Sequence, residues 1–237
     1  MALFTEEAVR ANLRVRDGKR VFYLAAGDRL SPAAREWLRQ QHVEVLPAAQ
    51  ARIEQYETLF GATLSEKPEH MTHLRGKVLV MKDHPRIAFR GNIDALEADL
   101  LLAMHAAKQE GKSQTLAHLR EMLQFVRSLI PADVLEETVA FSSLCGLTPP
   151  QLREHSHFPQ KFYDQPHFMP DETDSLTLLQ LNRVRTSVRK TELAAFAAFK
   201  TPEGAVTRED IITALNRLSS LCWILMIRLK AEEKRHE

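Results

Sequence analysis

Cysteine and glycine, on which many metal, redox and phosphate sites are built, are sparse in this sequence. There are two cysteines among 237 residues, Cys145 and Cys222, and both stand in apolar surroundings. No Cys-x-x-Cys pair occurs, which excludes a zinc or redox site of that spacing. The eight glycines are scattered, so neither common type of glycine-rich phosphate loop is present. The His-Glu-x-x-His zinc pattern and the nucleophile elbow are also missing.

An excess of charge of one sign is missing as well. The chain has 32 Lys and Arg against 31 Asp and Glu, a formal net charge of +1. Without a basic run, binding to nucleic acid is not expected. The most apolar stretch, 221–227, is too short to span a bilayer, and the N-terminus lacks a secretory pattern. With thiols expected to be buried and reduced, these features predict a cytoplasmic protein without a membrane partner.

Residues 1–49 are predicted to form a small α/β module, followed by a polar, weakly helical connector over 50–75. A strand near the end of the module alternates in hydrophobicity and can pair with an earlier one. The predicted features are, in chain order, a helix N-capped by Thr5, a turn at Asp17–Gly18, a strand over 20–24, a helix beginning at Pro32 after Ser31, and a strand over 43–46.

Helical periodicity dominates residues 76–237. Pro131 is expected to end the second long helix, and an aromatic- and histidine-rich loop over 157–170 is expected before the third. Trp37 and Trp223 are expected to be core residues. Four long helices joined by brief connections predict a mainly α helical bundle. The predicted long helices cover about 92–110, 114–130, 175–199 and 207–234, and short helices are predicted over 132–141 and 149–155.

A charged stripe on the third long helix is the strongest candidate site. Arg185, Arg189 and Glu192 are spaced i, i+4 and i+7, so they point the same way. Leaving such charges unpaired beside a packing face costs on the order of several kcal/mol. Carboxylates and phosphates are the natural partners of guanidinium groups, so the stripe predicts either an anion site or an architectural ion-pair network. The flanking residues predicted to pack are Val184, Val188, Leu193, Ala195 and Phe196.

A second basic group surrounds a proline. Lys82, His84, Arg86 and Arg90 flank Pro85, which biases His84 away from the helical conformation. The pattern indicates a turn, and it is either a phosphate-binding turn or an ordinary solvated one.

Three separated segments resemble, in the same order, motifs of the ATP:cobalamin adenosyltransferases. They are 82–96, 185–192 (Arg-Thr-Ser-Val-Arg-Lys-Thr-Glu) and 215–220 (Leu-Asn-Arg-Leu-Ser-Ser). The ethanolamine-utilisation branch is the nearest match, the propanediol-utilisation type is related, and the resemblance covers about 72–230. It implies a four- or five-helix bundle.

The implied activity is transfer of the 5′-deoxyadenosyl group of ATP to cob(I)alamin, which yields adenosylcobalamin and triphosphate and supplies ethanolamine ammonia-lyase. A non-catalytic cobalamin carrier or a microcompartment scaffold of the same fold is the alternative.

The resemblance also implies roles for single residues. Arg185, Arg189 and Asp94 are the implied catalytic residues, and Asp94 matches a family aspartate that pairs with the arginine at Arg185 across a subunit boundary. Magnesium would arrive with ATP, held through Glu192 and Asn216, since this ion prefers oxygen ligands shared with phosphates. The implied ATP-binding residues are Lys82, His84, Arg86, Arg90, Arg189, Glu192 and Asn216.

The loop His167-Phe168-Met169-Pro170 is implied to meet the corrinoid. In the family an aromatic residue near a loop proline crowds out the lower axial ligand of cobalt. Phe168 is the first candidate for that role, His167 the second, and Met169 is an additional contact. An imidazole can itself ligate a metal, so the choice between His167 and Phe168 stays open at this stage.

Partners follow from the same resemblance. The implied assembly is a homo-oligomer, either a trimer or a dimer, with a flavin-type reductant. Residues 29–35 resemble a segment of several microcompartment-associated proteins, so microcompartment proteins are candidate partners and the protein can lie within that compartment. Some branch members carry a cysteine cluster before the segment matching Thr72-His73-Leu74; this chain has none there, so no iron or zinc site is expected. His155, His157 and His167 are expected to be surface residues rather than metal ligands.

Overall fold

The structure, a computed structural model, describes residues 2–16, 19–48 and 55–235. The chain divides into two compact units, Met1–Gln55 and Tyr56–Glu237. The turn predicted at Asp17–Gly18 and residues 49–54 of the predicted boundary region lie outside the described residues.

The first unit has the predicted α/β character. Thr5 and Ser31 cap its two helices by accepting hydrogen bonds from the backbone N–H groups of Ala8 and Ala34. The predicted pairing of its strands is confirmed, because Val21 lies opposite Glu44 in a parallel ladder. Its elements are β1 (Leu3–Phe4), α1 (Glu6–Ala11), β2 (Arg14–Arg16), β3 (Lys19–Leu24), β4 (Arg29–Leu30), α2 (Pro32–Gln40) and β5 (Glu44–Pro47).

The second unit opens with a small sheet. Its strands are β6 (Tyr56–Thr58), β7 (Thr63–Leu64), β8 (Met71–Arg75) and β9 (Val78–Met81), in the order β7-β6-β9-β8. The weakly helical character predicted for residues 56–75 is therefore wrong. On β8 only Met71 and Leu74 are buried, and an irregularity in the ladder between His73 and Arg75 breaks the simple alternation that marks a strand in sequence.

The remainder of this unit is a helical bundle, which confirms the mainly α fold class. Helix α3 packs against α4 and α7, while α8 packs against α7 and α5. The helices are α3 (Pro85–Gln109), α4 (Ser113–Val134), α5 (Pro149–His157), α6 (Pro159–Tyr163), α7 (Leu176–Phe199) and α8 (Glu209–Glu233).

Two prolines behave differently from the sequence prediction. Pro85 is the first residue of α3, so the helix begins seven residues earlier than expected; His84 caps it, with Nδ1 accepting from the Arg86 N–H at 3.2 Å. Pro131 does not end α4, which continues for one more turn and closes with a bond from the Leu135 N–H to the Pro131 carbonyl at 2.8 Å. The short helix predicted over 132–141 is wrong: 132–134 finish α4, and 135–141 are not helical.

Helix α8 supplies much of the bundle core. By length and composition it alone, among the described helices, could cross a membrane, yet 56% of the apolar window is buried inside the unit, as in the core helix of a folded bundle. Cys222 lies on this helix and, like Cys145, is buried and free. Burial raises the pKa of both thiols to about 12, and Glu121 contributes at Cys145, so both are protonated at neutral pH.

Candidate active site

A cleft of about 920 Å³ opens on the side of the bundle. Its walls come from α5, α7, α8 and the loop between α6 and α7. The lining residues are Arg153, Ser156 and His157 on α5, His167 to Pro170 on the loop, Asn182, Arg185 and Arg189 on α7, and Asn216, Arg217, Ser219, Ser220 and Trp223 on α8.

Two contacts fix how α7 and α8 face each other across the cleft. The Asn216 side-chain amide donates to Glu192 Oε1 at 2.9 Å, and the Arg185 guanidinium lies 5.7 Å from the centre of the Trp223 ring. Residue numbers rise on one helix as they fall on the other, so the helices run antiparallel. The two contacts are seven residues apart on each helix, which corresponds to roughly 10 Å.

The cleft therefore has two ends of different chemistry. The polar end carries Arg153, Glu192, Asn216 and Arg217, and the aromatic end carries His167, Phe168 and Trp223. Arg185 and Arg189 lie along α7, with Arg185 nearest the aromatic end.

Positive charge in the cleft is in excess. Among the described residues that line it, four are arginines and none is Asp or Glu. Arg185 donates from Nε and Nη2 to Asn182 Oδ1, at 3.3 and 3.2 Å, so its polar partner is a neutral amide. Burial lowers the pKa of Arg185, and Arg189 lowers it further. Since half-buried guanidiniums need an anion, the cleft is suited to a carboxylate or phosphate ligand.

Arg217, at the polar end, resembles Arg185 in being partly buried with a lowered pKa. Burial lowers the pKa of its guanidinium, Arg153 adds to that effect by repulsion, and Glu192 opposes it. Glu192 is thus the carboxylate whose charge acts on Arg217. Its hydrogen bond to the neutral amide of Asn216 leaves it a single negative charge, which offsets only part of the positive charge of the four arginines.

Glu192 and Asn216 also supply oxygen atoms of the kind that Mg²⁺ prefers. Among the described residues, no three His, Cys, Asp or Glu side chains are grouped closely enough to hold a metal ion, either at this pair or at another place. A magnesium ion at this pair would need its other ligands from a bound phosphate and water.

The aromatic end is held together by contacts among three rings. The Trp223 ring lies 5.8 Å from His167 at an interplanar angle of 11°, and 5.3 Å from Phe168 at 20°. Met169 follows them and is 87% exposed. A flat apolar surface thus lies about two helical turns from the polar end.

Known proteins match most of this chain in sequence. The model of the cobalamin adenosyltransferase family matches residues 62–229. The corrinoid adenosyltransferase EutT of Escherichia coli (strain K12) is 32% identical over 246 residues, which covers 94% of this chain and 90% of the relative. The EutT of Salmonella typhimurium (strain LT2) is 31% identical with the same coverage. This chain belongs to the cobalamin adenosyltransferase family.

A solved structure shares the fold of this adenosyltransferase. It is a variant of a PduO-type ATP:corrinoid adenosyltransferase from Lactobacillus reuteri, complexed with cobalamin and ATP. The TM-score is 0.51 at 18% identity, over 70% of this chain and 91% of that one. The predicted family, bundle fold and enzyme class are confirmed.

Not every residue predicted for the site of this adenosyltransferase lines the cleft. Arg185, Arg189, Asn216, His167, Phe168 and Met169 do, and Glu192 joins them through Asn216.

Arg86 and Arg90 are placed elsewhere. They were predicted to lie on a loop turn around Pro85. That prediction is wrong, because Pro85 begins α3 and both arginines lie in the first two turns of that helix. Both bind the fully buried Asp133, from Arg86 Nε to Oδ1 at 2.9 Å and from Arg90 Nε to Oδ2 at 2.7 Å. Arg90 also donates to the Leu74 carbonyl at 2.7 Å, so the pair joins α3 to α4 and β8.

Lys82 and His84 lie at the β9–α3 junction, outside the cleft. Lys82 is exposed, whereas His84 is half-buried and caps α3. Burial lowers the pKa of His84, and Arg86 and Arg90 lower it further, so its ring is favoured in the neutral form. A neutral capping imidazole is a weak phosphate ligand in this conformation.

Asp94 is exposed on α3 and does not line the cleft. The pairing of Asp94 with Arg185 was predicted between subunits, and it stays a prediction for the single chain described. Leu193 and Phe196, which were predicted to pack, are 72% and 41% exposed, so that prediction is wrong. They lie on the outer side of α7, away from the buried Val188 and Ala195.

Several cleft residues were missed at the level of sequence, among them Arg217, Trp223 and Arg153. Arg217 is inside the Leu-Asn-Arg-Leu-Ser-Ser segment, yet only Asn216 was selected there. Trp223 was assigned to the core and does pack against it, but it also lines the cleft. It follows Asn216 by seven residues and so shares its helix face, a signal that could have revealed this second role. Arg153 lies on a short helix and carries no comparable sequence signal.

Proposed function

We propose that this enzyme binds ATP and cob(I)alamin together in the cleft and transfers the 5′-deoxyadenosyl group to cobalt, releasing triphosphate. Family membership supports the reaction, and the fold neighbour was solved with cobalamin and ATP. The relatives named EutT support a role in ethanolamine use, where the product would serve ethanolamine ammonia-lyase.

The observation that carries the proposal is the arginine excess beside a flat aromatic surface. A triphosphate brings several negative charges, and the arginines lack carboxylate partners within the cleft. A corrinoid is a flat macrocycle that suits the aromatic end. The two ends are roughly 10 Å apart along the helices, which allows one cleft to hold both substrates.

The chemistry assigned to these residues is positioning and charge stabilisation. The electron pair on cob(I) attacks the ribose C5′ atom, a cobalt–carbon bond forms, and the C5′–O bond breaks. Its electrons leave with the triphosphate, where negative charge grows. Arg185 and Arg189 stabilise that charge, and orientation of the two substrates lowers the barrier further.

Magnesium is assigned to the polar end. Glu192 and Asn216 supply oxygen ligands there, and the ion would share the remainder with the triphosphate. At the opposite end, Phe168 is assigned to the lower face of the corrinoid, with Met169 beside it, because an apolar ring there excludes water and a lower ligand.

The predicted site residues that lie outside the cleft are assigned to the cleft of a second copy of the chain. Lys82 and Asp94 are exposed and lie outside the cleft of their own subunit. In a homo-oligomer, whether a trimer or a dimer, they can meet the cleft of a neighbour, where Asp94 would pair with Arg185. His84, Arg86 and Arg90 would support that surface.

We also propose that the enzyme is cytoplasmic, that it uses a flavin-type reductant and that it associates with microcompartment proteins. The EutT relatives support an enzyme of the ethanolamine pathway, and the family reaction needs cobalt in its reduced state. The first unit, Met1–Gln55, is the candidate region for contacts with microcompartment proteins.

The test compares Arg189→Ala with Lys190→Ala, its exposed neighbour, which does not line the cleft. With ATP and cob(I)alamin, Arg189→Ala is expected to lose on the order of a hundred-fold or more in kcat/KM, the loss typical of removing a group that stabilises the transition state. Lys190→Ala is expected to match the wild type. Equal activity in both variants would overturn the assignment, and corrinoid binding without ATP-dependent product would instead favour a carrier.

A further inference from the structure

Both ring nitrogens of His167 have partners in the structure. Nδ1 lies 3.2 Å from the indole Nε1 of Trp223, and Nε2 lies 3.4 Å from the backbone carbonyl oxygen of His157. An indole N–H can only donate, so Nδ1 of His167 must be the acceptor. The neutral imidazole then carries its proton on Nε2, which donates to the His157 carbonyl.

This arrangement bears on whether His167 can ligate cobalt. A metal ligand must offer a nitrogen lone pair. The lone pair on Nδ1 is occupied by the Trp223 N–H, and Nε2 carries a proton in this tautomer. The imidazole plane also lies at only 11° to the indole plane, as suits a hydrogen bond made in the plane of the indole, and these contacts restrain the rotation of the ring.

Trp223 also contacts Phe168, the residue that follows His167 in the loop. The Phe168 ring stacks on the same indole at 5.3 Å and 20°, and it packs against the bundle core. Trp223 itself lies between the buried Cys222 and Ile224 on α8, so the indole is anchored to a rigid element. One side chain thus sets the position of two consecutive loop residues.

We propose that Trp223 is a positioning residue that locks His167 as the Nε2-protonated tautomer and leaves Phe168, rather than His167, to face the lower side of the corrinoid. The proposal rests on the proposed function for the identity of the substrate. The contacts among the three side chains do not depend on that function, so they are tested separately.

The ligand question is tested with cob(II)inamide, a corrinoid without a lower base of its own, bound to the enzyme with ATP. Any axial nitrogen seen by electron paramagnetic resonance then comes from the protein. We expect no nitrogen splitting in the wild type, and none in His167→Ala. Nitrogen splitting in the wild type that disappears in His167→Ala would overturn the proposal.

The positioning role is tested with Trp223→Phe, which keeps an aromatic ring for stacking and removes the N–H donor. We expect kcat to fall by on the order of ten- to a hundred-fold, as displaced reactive groups do, while KM for ATP stays within about two-fold. Because both changes remove the same hydrogen bond, Trp223→Phe combined with His167→Ala is expected to be no slower than the slower single variant. Wild-type kcat in Trp223→Phe, or fully additive losses, would contradict the role.

Fluorescence separates this proposal from the catalytic one. Trp37 and Trp223 are the two tryptophans of the sequence, so Trp37→Phe leaves Trp223 as the single reporter. In that background, His167→Ala is expected to shift the emission to longer wavelengths, because water replaces the lost ring and acceptor. His157→Ala is the matched control, since only the backbone carbonyl of His157 takes part, and it should leave the emission unchanged. No shift in His167→Ala would refute the contact, whereas an inactive wild type with the shift intact would refute only the catalytic function.

Discussion

At the scale of single residues, Asn216 shows how an ordinary amide gains a role from its neighbours. Its side-chain N–H donates to Glu192 Oε1 at 2.9 Å, a bond that does not use the amide oxygen of Asn216 or the second carboxylate oxygen of Glu192. Asn216 is exposed, so it contributes little to the packing of α8. Its value lies in orienting oxygen atoms at the polar end, which a hydrophobic residue cannot do.

Asn216→Ala is therefore expected to lose activity while remaining folded. The loss in kcat/KM for ATP should be on the order of ten- to a hundred-fold, because a charge-assisted hydrogen bond and an oxygen ligand disappear together. The melting temperature should stay within about 2 °C of the wild type, since the side chain is exposed. Thr213→Ala, an exposed change one turn away, is the control and should match the wild type in both measurements. Full activity in Asn216→Ala would remove this residue from the site.

At the scale of elements, the helix junctions are fixed by arginines that bind buried or partly buried carboxylates. Asp133 at the end of α4 receives Arg86 and Arg90 from α3, and Asp210 at the start of α8 receives Arg208 and the Val139 N–H. These ion pairs lie at helix ends, where backbone groups also need partners. They explain why several arginines that are conspicuous in sequence are absent from the cleft described above.

Asp133→Asn is expected to lower the free energy of unfolding by about 3–5 kcal/mol, since it leaves two arginines facing a neutral group in a buried place. Chemical denaturation at neutral pH measures this directly. Glu137→Gln, an exposed change of the same chemical kind nearby, should cost less than about 0.5 kcal/mol. A loss of similar size in both variants would show that Asp133 has no special structural role.

Asp210 predicts a pH dependence of stability. Burial alone would raise its pKa, but hydrogen bonds from Arg208 and from the Val139 N–H outweigh burial and lower the pKa to about 2. A folded-state pKa below the ordinary value of about 3.9 means that the ionised group stabilises the fold above that pH. This contribution is lost as the pH falls through about 4 towards 2.

The measurement for Asp210 is the difference in melting temperature between the wild type and Asp210→Asn as the pH is lowered. The difference should be constant from pH 5 to pH 7 and should shrink below about pH 4. A difference that does not vary between pH 7 and pH 3 would exclude ionised Asp210 as the cause.

At the scale of the whole molecule, the bundle could be predicted from sequence much better than the sheet in front of it. The long helices have apolar spacing over many turns, so their existence was clear, and only their ends were misplaced, at Pro85 and Pro131. The strands from Tyr56 to Arg75 are short, and their partners are fixed by tertiary contacts rather than by local pattern.

The candidate site was predictable to the extent that its residues lie in recognisable segments. Arg185 and Arg189 share a helix face, and that spacing alone placed them together. Trp223 shares the helix face of Asn216, so the same kind of spacing could have placed it, whereas Arg153 could not be placed, because its membership of the cleft depends on how α5 packs. Arg86 was assigned to the site because a basic residue in sequence does not reveal whether a buried carboxylate already binds it.

Metal dependence is a prediction for the molecule as a whole. No cysteine precedes Thr72 in this chain, so we expect no requirement for iron or zinc. Because a triphosphate shares its oxygen atoms with Mg²⁺, we expect activity to require a divalent ion of that kind. Enzyme treated with a chelator and returned to Mg²⁺ alone should regain wild-type turnover. Stoichiometric iron or zinc in the purified protein, with turnover restored only by adding that metal, would contradict this.

The central claim is that one arginine-rich cleft joins ATP to a reduced corrinoid. The most direct measurement follows the absorption spectrum of cob(I)alamin with the wild-type enzyme under anaerobic conditions, with and without ATP. We expect an ATP-dependent, light-sensitive cobalt–carbon product together with one triphosphate per corrinoid. A spectrum that is the same with and without ATP, from folded enzyme supplied with Mg²⁺, would contradict it.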